Sequence, residues 1–311
     1  MRTNNTDETG IVFRKNPGRY TVHKNEREIE CGLSSGLQKQ ANESKYTDPV
    51  AIGDEVRFVE TGEGCGTITE VLPRRNKLSR LAVVPGRQNF EQVIVSNVDQ
   101  VLPVFAAASP TPKWGLLDRY LVSAEAAGLP ALICITKSDL AGQNEELEEN
   151  LEEYRRIGYP VQFVSIVSGE GLDELKLLLV GRRSVLVGKS GVGKTSLLNA
   201  LQPGLGQRVR EVSQGKQGKG RHTTTHLEMF PLEQGGAIID TPGTREFGLW
   251  DVDEDDLALF FPEMRPLVGS CKFGLDCRHD EEPGCTIRRA VMGGKISPYR
   301  YRSYLKLRGE A

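Results

Sequence analysis

The sequence holds no run of about 20 apolar residues, the length an α-helix needs to cross a bilayer. Its first ten residues, MRTNNTDETG, have none of the apolar stretch that a secretory leader carries. The expectation is a cytoplasmic protein with no membrane partner. Neither sign of charge is in large excess: 40 Lys and Arg stand against 42 Asp and Glu, for a net charge of −2. That excludes a polycation, so any nucleic-acid surface must be a local patch. The six cysteines do not form the dense framework of a small disulfide-stapled domain. Cys31 and Cys65 stand apart, and Cys134 lies inside the apolar run ALICI, where a thiol serves as a small buried hydrophobe. There is no internal repeat and no long low-complexity tract. What is present is 38% hydrophobic residues in 311 positions, enough for real cores in about two or three domains.

Residues 1–97 read as short strands. Tyr20–His23 and Glu28–Cys31 fit strands, and Gln38–Tyr46 reads as a loop. VRFVE, GTITEVL, LAVV and QVIVSNV follow, punctuated by Gly53-Asp54, Gly62-Glu63-Gly64 and Pro85-Gly86. This spacing predicts a small barrel or sandwich. The pattern changes at 98. From there to 250, apolar strands (VDQVLPVFAA, ALICI, VQFVSIV, SVLVG) alternate with helical segments (LLDRYLVSAEAAG, EELEENLEEYRRIG, GLDELKLLLV). That alternation predicts an α/β unit whose parallel sheet is covered on both faces. Residues 251–311 read as helix-rich around a cysteine cluster.

Within the α/β unit, Gly188-Lys189-Ser190-Gly191-Val192-Gly193-Lys194-Thr195 fits G-x-x-x-x-G-K-[ST], between the strand SVLV and a helix that Ser196 helps to open. Glycines let backbone N–H groups turn inward around phosphate oxygens, and the helix N-terminus adds its positive dipole end. Lys194 is expected to reach the β- and γ-phosphates and the Thr195 hydroxyl to bind Mg²⁺. Asp240-Thr241-Pro242-Gly243 follows AIID. It resembles the DxxG element of GTPases, with Asp240 on Mg²⁺ and the Gly243 N–H on the γ-phosphate. Thr136-Lys137-Ser138-Asp139 ends the strand ALICI and resembles the guanine motif NKxD, with Thr136 in place of Asn. A carboxylate there accepts from guanine N1–H and the N2 amino group together, a donor pair adenine lacks. Ser138 or Asp139 can equally cap the next helix. Ser165-Ile166 matches the weak fifth GTPase motif. Of Thr223-Thr224-Thr225, Thr224 is the expected third Mg²⁺ ligand. Thr244 stands where many GTPases carry a water-orienting glutamine. His222 is therefore the local candidate for that work, beside Lys194 and Gly243 as catalytic groups.

Motif order is unusual. The guanine elements at 136–139 and 165–166 precede the phosphate loop at 188–195, and DxxG follows at 240–243. This is a circular permutation, which a pocket survives because chain termini commonly lie close together. Further on, Cys271, Cys277, His279 and Cys285 supply three thiolates and one imidazole, a complete tetrahedral set for one structural Zn²⁺. The tail KISPYRYRSYLKLRG interleaves Lys295, Arg300, Arg302, Lys306 and Arg308 with Tyr299, Tyr301 and Tyr304. It reads either as an RNA-contacting surface or as a helix packed on the metal site.

The permuted order, with GKSGVGKTSLLN, GRHTTT, DTPGTREFGL and CKFGLDCRHDEEPGC, resembles the bacterial ribosome small subunit-dependent GTPase A (RsgA) family over nearly the full chain. The resemblance implies a multidomain protein. An OB-fold barrel at 1–97 would contact ribosomal RNA, a permuted GTPase domain would fill 98–250, and a helical zinc domain 251–311. It implies GTP hydrolysis to GDP and phosphate, stimulated by the small ribosomal subunit during its late maturation. It assigns His222 the catalytic role and leaves Arg74, Arg75, Lys77, Arg80 and Arg87 as basic candidates on the barrel. A cytoplasmic monomer is expected. The competing reading is a non-enzymatic RNA-binding switch that uses GTP and GDP only to change conformation.

Overall fold

The structure, a computed structural model, describes residues 7–25, 27–43, 48–82, 90–142, 144–214, 227–240 and 252–309. His222, Thr223, Thr224, Thr225, Gly243 and Arg87 lie outside the described residues, as does the side chain of Arg80.

Strands β1 (Glu8–Asn16), β2 (Arg19–Lys24) and β3 (Arg27–Leu33) are followed by helix α1 (Ser35–Glu43), then β4 (Glu55–Gly62) and β5 (Cys65–Val71). They close a barrel in the order β1-β2-β3-β5-β4, and β4 returns to β1. All pairs are antiparallel except β3 with β5. This is the five-stranded Greek-key barrel of OB-fold type. Alternation fills its interior with Val12, Tyr20, Val22, Ile29, Phe58 and Ile68. Helix α1 corrects the expected loop of Gln38–Tyr46 over residues 38–43, while 44–46 lie outside the described residues. Leu37 is the segment's single large apolar side chain, so no periodicity betrays a helix. The helix gains its stability by burying Leu37 on the barrel core, with the Leu37 N–H donating to Ser34 Oγ at 3.3 Å.

A hairpin of β6 (Lys77–Ala82) and β7 (Phe90–Ser96) follows. The buried Asp54 ties it to the barrel, accepting from Ser96 Oγ at 2.5 Å and from Arg74 Nε and Nη2 at 2.7 Å each. Gly53 has φ +87°, and a Cβ there would stand 2.1 Å from the Ser96 carbonyl oxygen, so no other residue fits this approach. Ile52, Leu78 and Val95 join the same apolar cluster as Val101, Leu117 and Tyr120. Barrel and sheet therefore share a core across position 97. A bulge between Val12 and Arg14 turns Phe13 outward onto that cluster.

The remaining strands and helices are β8 (Gln100–Ala106), α2 (Trp114–Ala126), β9 (Ile133–Thr136), α3 (Glu145–Ile157), β10 (Val161–Val164), α4 (Leu172–Leu179), β11 (Arg183–Val187), α5 (Lys194–Leu201), α6 (Leu205–Gln214), β12 (Met229–Pro231) and β13 (Ala237–Asp240). The sheet order is β10-β9-β8-β11-β13-β12, parallel except for the β12–β13 pair. Strand alternation serves two cores. Val185, Val187 and Ile239 face α2 and α3, while Leu186 and Ile238 face α4, α5 and α6. Cys134 is buried there, and burial pushes its thiol up to about 12, as suits an inert apolar filler. At the sheet's far edge, Arg14 of β1 bridges Glu228 just ahead of β12 in antiparallel fashion, with an ion pair of 2.7 Å.

Residues 252–309 form the last unit, with short 3-10 turns, α7 (Thr286–Met292) and α8 (Pro298–Arg308). Its core of Phe261, Met264, Ile287, Ile296, Tyr304 and Leu307 includes Val122 from α2. Among the described residues no helix is long and apolar enough to cross a membrane.

Candidate nucleotide site and metal centre

Four parallel strands end at the residues the motifs singled out. Strand β9 ends at Thr136, β10 runs into Ser165, β11 into Gly188, and β13 ends at Asp240. The register aligns them: Thr136 pairs with Ala106 and Val164, and Asp240 with Leu186. In open parallel sheets the crevice beyond the carboxyl ends is where ligands bind.

The phosphate loop leaves β11 at Gly188, where a Cβ would meet the Val104 carbonyl oxygen at 2.4 Å. It enters α5 through Gly193 at φ +94°. Val192 is buried under the loop, while Lys189, Ser190, Gly191 and Ser196 face outward to varying degrees. The fully buried Thr136 supports it from beneath, its hydroxyl 2.5 Å from the Val192 carbonyl oxygen and 3.1 Å from that of Phe105. The threonine that replaces asparagine in this motif therefore still holds the phosphate loop. Lys137, at φ +55°, donates to Gly191 O at 3.0 Å and to Ser109 O. Ser165 is buried and donates to Asp139 Oδ1 at 2.6 Å, which fixes that carboxylate against the end of β10. Ile166 packs its side chain on the core below. Ser138 Oγ is buried with no hydrogen-bond partner among the described residues, and it makes no capping bond.

Lys194 donates to Gly188 O. Burial pushes its ammonium below the ordinary lysine value, with Asp240 opposing the shift. Burial pushes the Asp240 carboxyl up, with Lys194 opposing. Asp240 Oδ1 is buried without a hydrogen-bond partner among the described residues. Asp240 interacts with Lys194, the residue before Thr195 in the first turn of α5, and a carboxylate and a hydroxyl offer the oxygen ligands that suit Mg²⁺. Sequence reasoning missed the segment 107–113 after β8, which supplies Ser109. The signal was its place after a strand flanking β11.

The second site is the cysteine–histidine cluster. All four residues are buried, and their ligand atoms lie within 4.8 Å of one another. A zinc tetrahedron with bonds of about 2.3 Å to sulfur and 2.0–2.1 Å to nitrogen has S···S edges of about 3.8 Å and S···N edges of about 3.5 Å. Cys271 Sγ and Cys285 Sγ stand 3.9 Å apart, and His279 Nδ1 is 3.5 Å and 3.6 Å from them. The residues fit one structural zinc. Backbone N–H groups of Thr286 and Arg288 donate to the Cys271 and Cys285 sulfurs, as thiolates require. Helix α8 packs on the cluster: Tyr301 Oη donates to His279 O at 2.6 Å and Tyr304 Oη to Arg278 O at 3.0 Å. Of the tail's cations, Arg300 is buried, which corrects its reading as an RNA-facing residue, whereas Arg302 and Lys306 are exposed.

A phosphate loop after β11 and a guanine element after β9, on parallel strands of one sheet with β8 between them and in permuted order, define a circularly permuted GTPase with a barrel before it and a metal-binding unit after it. Comparison with known proteins agrees. Residues 71–250 match the model of a family described as RsgA GTPase. The chain is 44% identical over 307 residues to the small ribosomal subunit biogenesis GTPase RsgA of Gemmatimonas aurantiaca, covering 98% of each. It is 37% identical over 301 residues to the protein of that name from Bacteroides fragilis, covering 96% of this chain and 95% of the relative. Among solved structures it is similar to YjeQ from Thermotoga maritima, with a TM-score of 0.77, 31% identity and 98% of each chain covered. It is also similar to YloQ, a circularly permuted GTPase, with a TM-score of 0.72, 28% identity, and 100% and 96% covered. The chain belongs to the RsgA GTPase family.

The guanine assignment has a direct check. In an Asp139→Asn variant one acceptor becomes a donor facing the guanine N–H groups. Two charge-assisted hydrogen bonds of about 1.5–3 kcal/mol each are lost, so GTP affinity falls by about a hundredfold or more. Competition binding with GTP and ATP measures it. An unchanged preference for GTP would remove Asp139 from the base site.

Proposed function

We propose that this chain binds GTP at the carboxyl ends of β9, β10, β11 and β13 and hydrolyses it to GDP and phosphate in biogenesis of the small ribosomal subunit. The observation that carries the reading is the convergence of the segments 136–139, 165–166, 188–196 and Asp240 on one crevice from aligned parallel strands. Asp139 reads the base, with Thr136, Lys137, Ser138, Ser165 and Ile166 framing it. The N–H groups of Gly188 to Ser196 cradle the phosphates, and Lys194 neutralises charge on the β- and γ-oxygens. Thr195, Asp240 and Thr224 would hold Mg²⁺, which would supply further neutralisation of phosphate charge. Gly243 N–H contacts the γ-phosphate, and His222 orients the attacking water.

The same reading places ribosomal RNA against the barrel and the exposed face of α8. On the barrel side Arg74 is committed to Asp54, whereas Arg75 and Lys77 pair with Asp99 and Glu91 and remain substantially exposed. Exposed surface pairs are weak and give way to phosphate at little cost. The protein acts as a cytoplasmic monomer, with its three units divided near 97 and 250.

The test is GTP hydrolysis with and without purified small subunits, wild type beside His222→Ala. Large stimulation of the wild type is expected. The variant should lose about 10²–10⁴-fold, the usual worth of a positioned general base, while it still binds nucleotide. Binding without multiple turnover would instead support the non-enzymatic switch.

A further inference from the structure

The helix that opens at the phosphate loop has a second helix seated on it. After α5 the chain turns through Gln202-Pro203-Gly204, with Gly204 at φ +78°, and returns as α6. Leu197, Leu198 and Leu201 of α5 share one buried cluster with Leu205 and Val209 of α6. The hairpin touches the nucleotide site at one point. A Cβ on Gly206 of α6 would stand 2.2 Å from the Thr195 carbonyl oxygen, and 3.0 Å from both Asn199 Cγ and Oδ1. The α6 backbone therefore lies directly on the backbone of Thr195, an approach that any side chain at position 206 would push apart.

A hydrogen bond fixes this seat. The first N–H groups of a helix need acceptors from outside its own ladder. The Gly206 N–H, in the first turn of α6, donates to Asn199 Oδ1 at 2.9 Å. Within α5, the carbonyl of Thr195 faces the N–H four residues on, which is that of Asn199. Asn199 thus serves Thr195 with its backbone and α6 with its side chain. Thr195, Asn199 and Gly206 form one closed contact. Mg²⁺ takes its ligands at about 2.0–2.1 Å in a near-ideal octahedron and tolerates little displacement of any of them. The Thr195 hydroxyl and carbonyl hang from the same Cα, so a shift of the carbonyl moves the hydroxyl with it.

We propose that Asn199 and Gly206 are positioning residues for the metal–nucleotide complex: by seating α6 on the Thr195 carbonyl they hold the Thr195 hydroxyl in place for Mg²⁺. This rests on the reading that residues 188–195 hold the nucleotide and that Thr195 is a metal ligand. Linkage makes the effect reciprocal, so bound metal and nucleotide tighten the seat of α6 by the same factor.

The deciding variant is Asn199→Ala. It leaves a strong helix former in α5 and removes the acceptor for the Gly206 N–H. Binding of GDP to the full chain is titrated across Mg²⁺ concentrations and with no Mg²⁺ added. The Mg²⁺ concentration that half-saturates the tightening of GDP is expected to rise about three- to tenfold, the worth of one hydrogen bond. GDP affinity without Mg²⁺ should match the wild type, and the melting temperature should stay within about 4 °C of it. Gly206→Ala should raise the Mg²⁺ requirement further, because its Cβ meets backbone rather than a side chain that can swing away. An unchanged Mg²⁺ requirement in Asn199→Ala, with or without a loss of melting temperature, overturns the proposal and leaves a structural contact. GDP affinity weakened equally with and without Mg²⁺ also overturns it, since the loop and not the metal ligand would then have moved. A wild type whose GDP binding ignores Mg²⁺ removes Thr195 as a metal ligand, and one that binds no GDP removes the functional reading; the proposal falls with either.

Discussion

Stripping the zinc, by chelation or by Cys285→Ser, is expected to unfold residues 252–309 while leaving the barrel folded. Between Ser270 and Cys285 the chain has no strand and only one short 3-10 turn. Its path is held by the four ligand residues, the two N–H groups that donate to sulfur, and hydrogen bonds from Tyr301, Tyr304 and Arg308 of α8 to the carbonyls of Arg278 and His279. The surrounding core is small, and the cluster residues Cys271, Cys277 and Cys285 are part of it. Units this small rarely fold on apolar burial alone. Structural zinc contributes roughly 10–16 kcal/mol of apparent binding energy in small domains near neutral pH, more than such a unit can spare. Hydrogen exchange is the measurement: amides of α7 and α8 should lose protection as zinc leaves, and those of β1 to β5 should keep it. Protection of α7 and α8 that survives verified metal loss would show that packing on α2 suffices.

Lys194→Met should depress kcat/KM for GTP by about 10²–10⁴-fold. The side chain donates to Gly188 O with Asp240 as its charge partner. In the proposed role Lys194 donates to two phosphate oxygens, where charge-assisted bonds are worth about 1.5–3 kcal/mol each. Two such bonds lost give the stated range. Methionine keeps the aliphatic length, so α5 and the loop glycines stay in place and the melting temperature should hold. A drop of less than about tenfold would mean that phosphate charge is met elsewhere. The same variant removes the cation that opposes the upward shift of Asp240. Its carboxyl should therefore titrate still higher, and metal-dependent binding should weaken as pH falls.

Much of this molecule is legible in its residues, and the illegible parts have a common cause. Glycine spacing in 188–195 and a carboxylate after an apolar strand announce themselves because the chemistry demands those types at those places. The parallel sheet is equally plain, since buried strands such as ALICI leave little room for another reading. The zinc ligands are readable because three thiols and an imidazole close together have few other uses. What does not show is whatever one segment does for another. Helix α1 exists because Leu37 has a barrel to sit on. Ser109 joins the pocket only because β8 runs beside β11. Arg300 looks like any tail cation until α2 and the 3-10 turns enclose it. Likewise the hairpin of β6 and β7 reads as part of the barrel, yet Leu78 and Val95 pack with the sheet. Local pattern reports local need, and partners distant in sequence leave no local mark.

The bridge from Arg14 to Glu228 has a bearing on solubility. Strand β12 is short, antiparallel and last in its sheet, and an open edge invites strands from other molecules. Pro231 withholds one donor from that edge. The chain's own first strand covers its approach, joined by the backbone bridge and the ion pair, while the out-turned Phe13 joins the apolar cluster below. A GTPase unit cut free of its barrel would lose this cover and bare the apolar seat of Phe13 together. The barrel thus serves its neighbour as a guard against aggregation, a service independent of any RNA it binds.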